Sequence, residues 1–121
     1  MGGKGVEKDL YGGLIRLHVL HHACHEPVYG LHLIEELSRH GYKTGPGTMY
    51  PILHGLEKAG YLASTIEKTG ARNRRVYRAT KAGCRALKQA KGRVSELFRE
   101  LFEDELKEPA PKGRPTRGKA T

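Results

Sequence analysis

The stretch from Gly45 to Leu62, GPGTMYPILHGLEKAGYL, most constrains what this chain can fold into. It carries a marked start and a marked stop. Pro46 stands where a first helical residue would be, and the N–H it lacks has no helical partner there to lose. Gly60 stands where a helix would end in a left-handed residue, which glycine adopts without steric cost. Between them Met49, Ile52, Leu53, Leu56 and Ala59 recur at helical spacing and make one apolar stripe. The other side carries Gly47, Thr48, Pro51, His54, Gly55 and Lys58, a small, polar, basic face without an acid. Such a helix buries one side in its own domain and lets another molecule approach the other side closely.

The charge of the chain narrows the class of that molecule. Its 121 residues hold 22 Lys and Arg against 13 Asp and Glu, a formal net charge of +9. This balance favours a polyanion, with nucleic acid ahead of a membrane surface. The length suggests one domain with modest extensions. A core of that size is only marginally self-sufficient, so a second subunit is expected to help. No run of about eighteen apolar residues is present, which argues against a spanning helix. The N-terminus lacks an apolar signal core, and the two cysteines, Cys24 and Cys84, do not make a disulfide framework. Together these point to a reducing cytoplasm.

Around the central stretch the chain is read as four parts. Residues 1–6 are glycine-rich and expected to be flexible. Residues 7–80 form a compact domain. Its first helix, Glu7 to His25, is apolar on two faces: Leu10, Leu14, Leu17, His21 and Cys24 on one, Ile15, Val19 and His22 nearly opposite. The first face is expected to meet its own domain and the second another subunit. A second helix, Tyr29 to His40, ends at Gly41, and a tight turn leads into the central helix, the helix-turn-helix arrangement. Strand-like alternation over 61–68 and 74–79, around a glycine-bearing turn at 69–73, predicts a β-hairpin directly after that helix. Such a hairpin is a wing. Thr80 then caps a last helix, residues 81–106, whose stripe runs through Leu87, Val94, Phe98, Leu101 and Phe102. Little of its own domain remains to cover this helix, so it is expected to dimerise. Residues 107–121, rich in Pro, Gly, Lys and Arg, are expected to form a disordered basic tail.

Three side-chain groups carry candidate chemistry. Between Lys68 and Arg93 the chain has eight further cations and no acid, and Arg72, Arg74 and Arg75 surround the hairpin turn. Arginines on a hairpin tip can follow a phosphate backbone or enter a minor groove. On the central helix Thr48, Tyr50, Pro51, His54 and Lys58, with Lys43 in the turn before it, form the second group. Hydroxyls there can bond a phosphate or base edge, and the helix N-terminus offers free N–H groups. Third, His18, His21, His22, Cys24 and His25 crowd one helix. His18, His22, Cys24 and His25 are candidate metal ligands, but no matching second half exists elsewhere, and packed or pH-sensitive side chains are the favoured reading. No nucleophile elbow, phosphate-cradling glycine loop or H-E-x-x-H sequence is present, so neither catalysis nor a cofactor is expected.

These residues resemble a known family. Tyr29-Gly30-x-x-Leu33-Ile34-Glu35-Glu36-Leu37, then Pro46-Gly47-Thr48-Met49-Tyr50-Pro51-Ile52-Leu53, then Leu56-Glu57-Lys58-Ala59-Gly60-Tyr61-Leu62 is similar to the PadR family of bacterial transcriptional regulators. Arg74 to Gly83 looks like that family's second wing strand and its entry to the last helix. The likeness runs from about Leu10 to Leu106. It implies a mostly α fold with a small β-hairpin: a winged helix-turn-helix domain plus a C-terminal dimerisation helix. It also implies a homodimer, built through the last helix and the first, that binds double-stranded operator DNA, usually as a repressor. By position the DNA-facing residues would be Thr48, Tyr50, Pro51 and His54 with Arg72, Arg74 and Arg75. The dimer contacts would then include Ile15, Val19, His22, Leu87, Val94, Phe98, Leu101 and Phe102. A small-molecule effector, where one exists, would bind near the dimer interface. The alternatives are a metal-responsive regulator using the first-helix cluster, and a protein-interaction module that keeps the fold without the DNA contacts.

Overall fold

The helix at the centre of the sequence forms where its punctuation places it. In the computed structural model, which describes residues 2–107, it is α3 (Pro46–Lys58), preceded by α1 (Gly2–His25), β1 (Val28–Tyr29) and α2 (Gly30–Arg39). After it come β2 (Leu62–Thr69), β3 (Arg72–Ala79), α4 (Lys81–Leu101) and α5 (Glu103–Lys107). Gly45 caps α3 without a side chain, its carbonyl accepting the N–H groups of Thr48 and Met49 at 3.0 and 2.8 Å. At the other end Gly60 takes φ +88°. There the N–H of Gly60 bonds the Glu57 carbonyl and that of Tyr61 the Leu56 carbonyl, each at 2.9 Å. This double closure satisfies two carbonyls that the helix end would otherwise leave open. α2 ends in the same way at Gly41, with Tyr42 bonding back to Leu37. Tyr42 and Tyr61, the residues just past each glycine, both pack onto the core.

The core collects the apolar stripes of three helices and one face of the sheet. α3 contributes Met49, Ile52, Leu53 and Leu56, as its spacing predicts; Ala59 lies past the helix end and is exposed. α2 contributes Leu33 and Leu37, and the sheet Val28, Leu62 and Tyr77. α1 reverses the expected assignment of its faces. Ile15 and Val19, expected at a subunit interface, are 5% and 0% exposed inside their own domain, with Leu20 and Ala23 beside them. Leu10 and Leu14, expected inside, are exposed. Helical periodicity finds two stripes but does not say which of them the rest of the domain will meet. Helix α1 also begins at Gly2, so residues 2–6, expected to lie outside it, continue it. Once a helix is nucleated, extension adds one hydrogen bond for each residue fixed.

The sheet has three strands rather than the two of a hairpin, in the order β1-β3-β2, all antiparallel. Val28 and Tyr29 pair with Tyr77 and Val76. The wing is longer than its alternation suggested, because Thr69 faces Arg72 and only Gly70 and Ala71 form the turn.

Thr80 caps α4, accepting the Gly83 N–H at 3.0 Å and donating to the Gly60 carbonyl at 2.6 Å. Gly83 lies so close to Tyr61 that an added Cβ would sit 2.1 Å from that carbonyl oxygen. One residue on, Cys84 is joined by a disulfide to Cys24 of α1, their Cα atoms 5.9 Å apart. The chain divides into two compact units, one up to Lys88 and one from Gln89. In the second, Val94, Leu97, Phe98 and Leu101 lie bare at 42–64% exposure, and the rings of Phe98 and Phe102 are 4.9 Å apart. The expected single helix over 81–106 is interrupted at Phe102, where α5 begins one residue later. Of the expected disordered tail, residues 107–121, Lys107 ends α5 and the rest lies outside the described residues. Among the described residues no helix is long and apolar enough to cross a membrane.

Candidate nucleic-acid interface

The buried stripe of α3 fixes what its other side shows. At about 100° per residue, the positions pointing away from the core are those of Gly47, Pro51, His54 and Lys58. All four are exposed. Pro51 has no N–H for the Gly47 carbonyl four residues earlier, so that carbonyl is left without its helical donor on the open side. The Gly47 N–H likewise lies ahead of the first helical bond. The open face therefore presents a backbone donor and acceptor, an imidazole and an ammonium group, with no side chain larger than proline at its N-terminal end. The adjoining stretch of α1 does not cover it. Between α1 and α3 runs a cleft of about 430 Å³, lined by Asp9, Gly12, Arg16, Gly47, Thr48 and Pro51. Lys43, in the turn before α3, is also exposed.

Thr48 and Tyr50 fall on the flanks of this face and are half-buried. Tyr50 differs from the expected contact set. Its ring lies against Gly30, where an added Cβ would stand 2.5 Å from the ring and hydroxyl. Tyr50 therefore locks the start of α2 to α3 by close approach, and Gly30 is required for it.

The wing splits its arginines. Successive strand residues face opposite ways, so Arg72 and Arg74 share one side and Arg75 the other. All three are exposed. Arg74 lies over the ring of Tyr29, its guanidinium carbon 3.8 Å from the centroid. The Tyr29 hydroxyl donates to Glu67 Oε1, and Glu67 faces Arg74 across the strands. That hydrogen bond is the main cause holding the Tyr29 phenol above its ordinary pKa. On the other side Arg75 donates to Ser64 Oγ at 3.0 Å, and Ser64 donates to Glu57 Oε2 of α3 at 2.8 Å. Each of these two arginines thus has its own contact, Arg74 on Tyr29 of β1 and Arg75 on Ser64 of β2, and Glu57, the acid carried by α3 itself, is engaged with the wing. Tyr29, Glu67, Ser64 and Glu57 were not legible as site residues from sequence. Of these, Glu67 had a signal, the two-residue turn at Gly70-Ala71, which sets it opposite Arg74.

The histidine-rich helix does not assemble the candidate metal set. Cys24 is committed to Cys84, and among the described residues no three His, Cys, Asp or Glu are grouped to hold a metal ion. The geometry that separates them is simple. His18 stacks on His40 at 5.0 Å and meets Tyr42 edge-on at 5.3 Å. His25 lies two turns further on, its Nδ1 donating to the His21 carbonyl at 2.7 Å. His22 is half-buried beside His21. Burial, then the neighbouring imidazoles of His40, His22 and His21, hold His18 below its ordinary pKa, while Glu36 opposes the shift.

A helix-turn-helix with a basic, acid-free outer face and an arginine-bearing wing is the geometry of a DNA reader, and comparison with known proteins agrees. Residues 19–89 match the Transcriptional regulator PadR-like family. The chain belongs to the PadR family. It is a transcriptional regulator, and membership implies DNA binding. Over 95 residues it is 52% identical to Transcriptional regulator Rv3488 of Mycobacterium tuberculosis (strain ATCC 25618 / H37Rv), covering 78% of this chain and 89% of that protein. Among solved structures it resembles a PadR family transcriptional regulator from Eggerthella lenta DSM 2243, with a TM-score of 0.72 and 28% identity. That match covers 87% of this chain and 93% of the other. A PadR-like transcriptional regulator from Bacillus cereus strain ATCC 14579 matches at 0.65 and 27%, over 78% and 96% of the two chains. Winged-helix architecture in the relatives accords with the mostly helical fold and three-stranded sheet described above.

Proposed function

We propose that this regulator is a cytoplasmic homodimer that binds operator DNA and represses transcription. The observation that carries the reading is the open face of α3, with Gly47, Pro51, His54 and Lys58 exposed, flanked by the exposed wing arginines. Each α3 enters a major groove, where small residues at its N-terminal end allow close approach and His54 and Lys58 reach further along. Each wing lies along the flanking backbone, with Arg72, Arg74 and Arg75 on phosphates or in the minor groove. The second copy is supported by the bare stripe of Val94, Leu97, Phe98, Leu101 and Phe102, which is too apolar to stand in water uncovered. Two copies place two reading helices on half-sites about one helical turn apart, or a multiple of it. Repression follows from occupancy of DNA that the transcription machinery needs.

The test is a mobility shift on DNA upstream of the regulator's own coding sequence, across a salt series and with unrelated competitor. Specific retention is expected. If a dimer neutralises about six phosphates, log K should fall with log salt at a slope of about −5. Arg74→Ala should reduce the magnitude of that slope by about 1 to 2, two wings being changed at once. Equal retention of unrelated DNA, or a slope unchanged by Arg74→Ala and Arg75→Ala alike, argues against the reading.

A further inference from the structure

We propose that Cys24 and Cys84 are a reversible thiol–disulfide site, oxidised by hydroperoxides with Cys84 as the attacking sulfur, that couples redox state to the DNA-reading unit. Three observations carry this. The two residues are 60 apart in sequence, yet the fold brings their Cα atoms to 5.9 Å, inside the range a disulfide spans without backbone movement. A regulator of transcription works where DNA is, and the compartment that holds DNA keeps thiols reduced. A bridged pair there is a transient, redox-responsive one rather than a permanent staple. Both residues are half-buried, open to a small oxidant.

The two sulfurs stand in unlike surroundings, which assigns their roles. Cys84 lies in the first turn of α4, its N–H bonded to the Thr80 carbonyl at 3.0 Å. The positive end of the helix dipole is there, and Lys81 and Lys88, three residues before and four after, share its side of the helix. An anionic sulfur is stabilised in that setting. Cys24 lies in the last turn of α1, among carbonyl ends that favour the neutral thiol, and its basic neighbours there are the imidazoles of His22 and His25 rather than lysines. The Cys84 thiolate attacks the terminal oxygen of a hydroperoxide. The O–O bond breaks, the sulfur gains oxygen as a sulfenic acid, and the departing alkoxide takes a proton and leaves as alcohol. For hydrogen peroxide the leaving species is water. The Cys24 sulfur then attacks the sulfenic sulfur. The S–S bond forms, the S–O bond breaks, and hydroxide leaves with the Cys24 proton as water. The sum is two thiols and one hydroperoxide giving one disulfide, one alcohol and one water, two electrons passing from sulfur to oxygen. A dithiol reductant reverses it by thiol–disulfide exchange.

The bond closes at a junction that matters for DNA. Thr80, four residues before Cys84, binds the Gly60 carbonyl, and Gly83 packs on the Tyr61 carbonyl. The end of α3, the start of the wing and the start of α4 therefore meet there. Oxidation ties that junction to α1, and reduction releases it.

The experiment starts from full-length protein reduced with a dithiol and desalted. Addition of hydrogen peroxide in slight excess should remove both free thiols and lower the mass of each chain by two hydrogens, with no chain-to-chain crosslink on non-reducing gels. A dithiol should restore both thiols. In Cys24→Ser protein, Cys84 should stop at a sulfenic acid that dimedone labels. In Cys84→Ser protein, Cys24 should react at least tenfold more slowly. Retained thiols, crosslinked chains or equal rates in the two variants overturn the proposal, and the wild-type thiol count stands even where a variant fails to fold. The oxidised and reduced forms are then compared on the same upstream DNA, where affinities should differ at least fivefold. Equal, measurable affinities overturn the coupling. Thiols that cycle in a protein retaining no DNA in either form count against the preceding reading of DNA binding and leave the thiol chemistry intact.

Discussion

Arg74 and Arg75 are neighbours in the chain but are held by different partners. Arg74 rests on Tyr29 and faces Glu67, whereas Arg75 is bonded to Ser64. The cation–π contact biases where the guanidinium waits without fixing it there. Tyr77, two residues on, shows the opposite economy. It is fully buried, and its hydroxyl has no hydrogen-bond partner among the described residues. Burial accordingly raises its phenol pKa. An unmet buried hydroxyl costs about 1–3 kcal/mol, so Tyr77→Phe should stabilise the fold by about 1 kcal/mol in urea denaturation. A loss of stability on removing that oxygen would mean the hydroxyl is satisfied. His18 sets a pH response. Its pKa is lowered in the folded state, so the unfolded chain takes up its proton first as pH falls. Its contribution is present above about pH 6.5 and is lost on acidification below that value. The melting temperature should fall between pH 7.5 and 5.5, and His18→Gln should flatten part of that fall. Parallel profiles for the two proteins would remove His18 as the cause.

The joint between α3, β2 and α4 depends on two glycines with different duties. Gly60 supplies a left-handed backbone, and Gly83 supplies the absence of a side chain where α4 crosses Tyr61. A methyl group at Gly83 meets a backbone oxygen, which cannot swing aside as a flexible side chain would. Gly83→Ala should therefore cost about 1–3 kcal/mol, read as a lower denaturant midpoint with an unchanged slope. A neutral result would show that α4 can shift along the joint. The same joint explains why the hydroxyl of Thr80 both donates and accepts: it caps α4 while holding the end of α3.

Two copies of the chain are needed for the proposed reading, and the bare stripe beyond Gln89 is where the second copy is tested. Phe98→Glu with Leu101→Glu adds two charges to that stripe, at residues 52% and 64% exposed in the single chain. Because neither side chain is buried within its own chain, the fold should survive. Light scattering should report a halved mass, and the magnitude of the salt slope for DNA binding should fall by about half. An unchanged mass would move the interface elsewhere, with the exposed Leu10, Tyr11 and Leu14 of α1 the next surface to alter.

Local punctuation made much of this fold legible. Pro46, Gly41, Gly60 and Thr80 mark helix ends because their backbone preferences act within a few residues of themselves. The stripe of Met49, Ile52, Leu53 and Leu56 was legible for the same reason, since helical spacing is a local property. Residues brought together across the chain were not. The periodicity of α1 shows two apolar faces equally well, and only packing against α2, α3 and the sheet put Ile15 and Val19 inside. The two residues of β1 are too short to leave a pattern, and they become a strand only because β3 offers an edge. Pairing of Cys24 with Cys84, and of Arg74 with Tyr29, likewise joins positions far apart in the chain. Such contacts depend on strand register and helix docking, which sequence spacing does not encode.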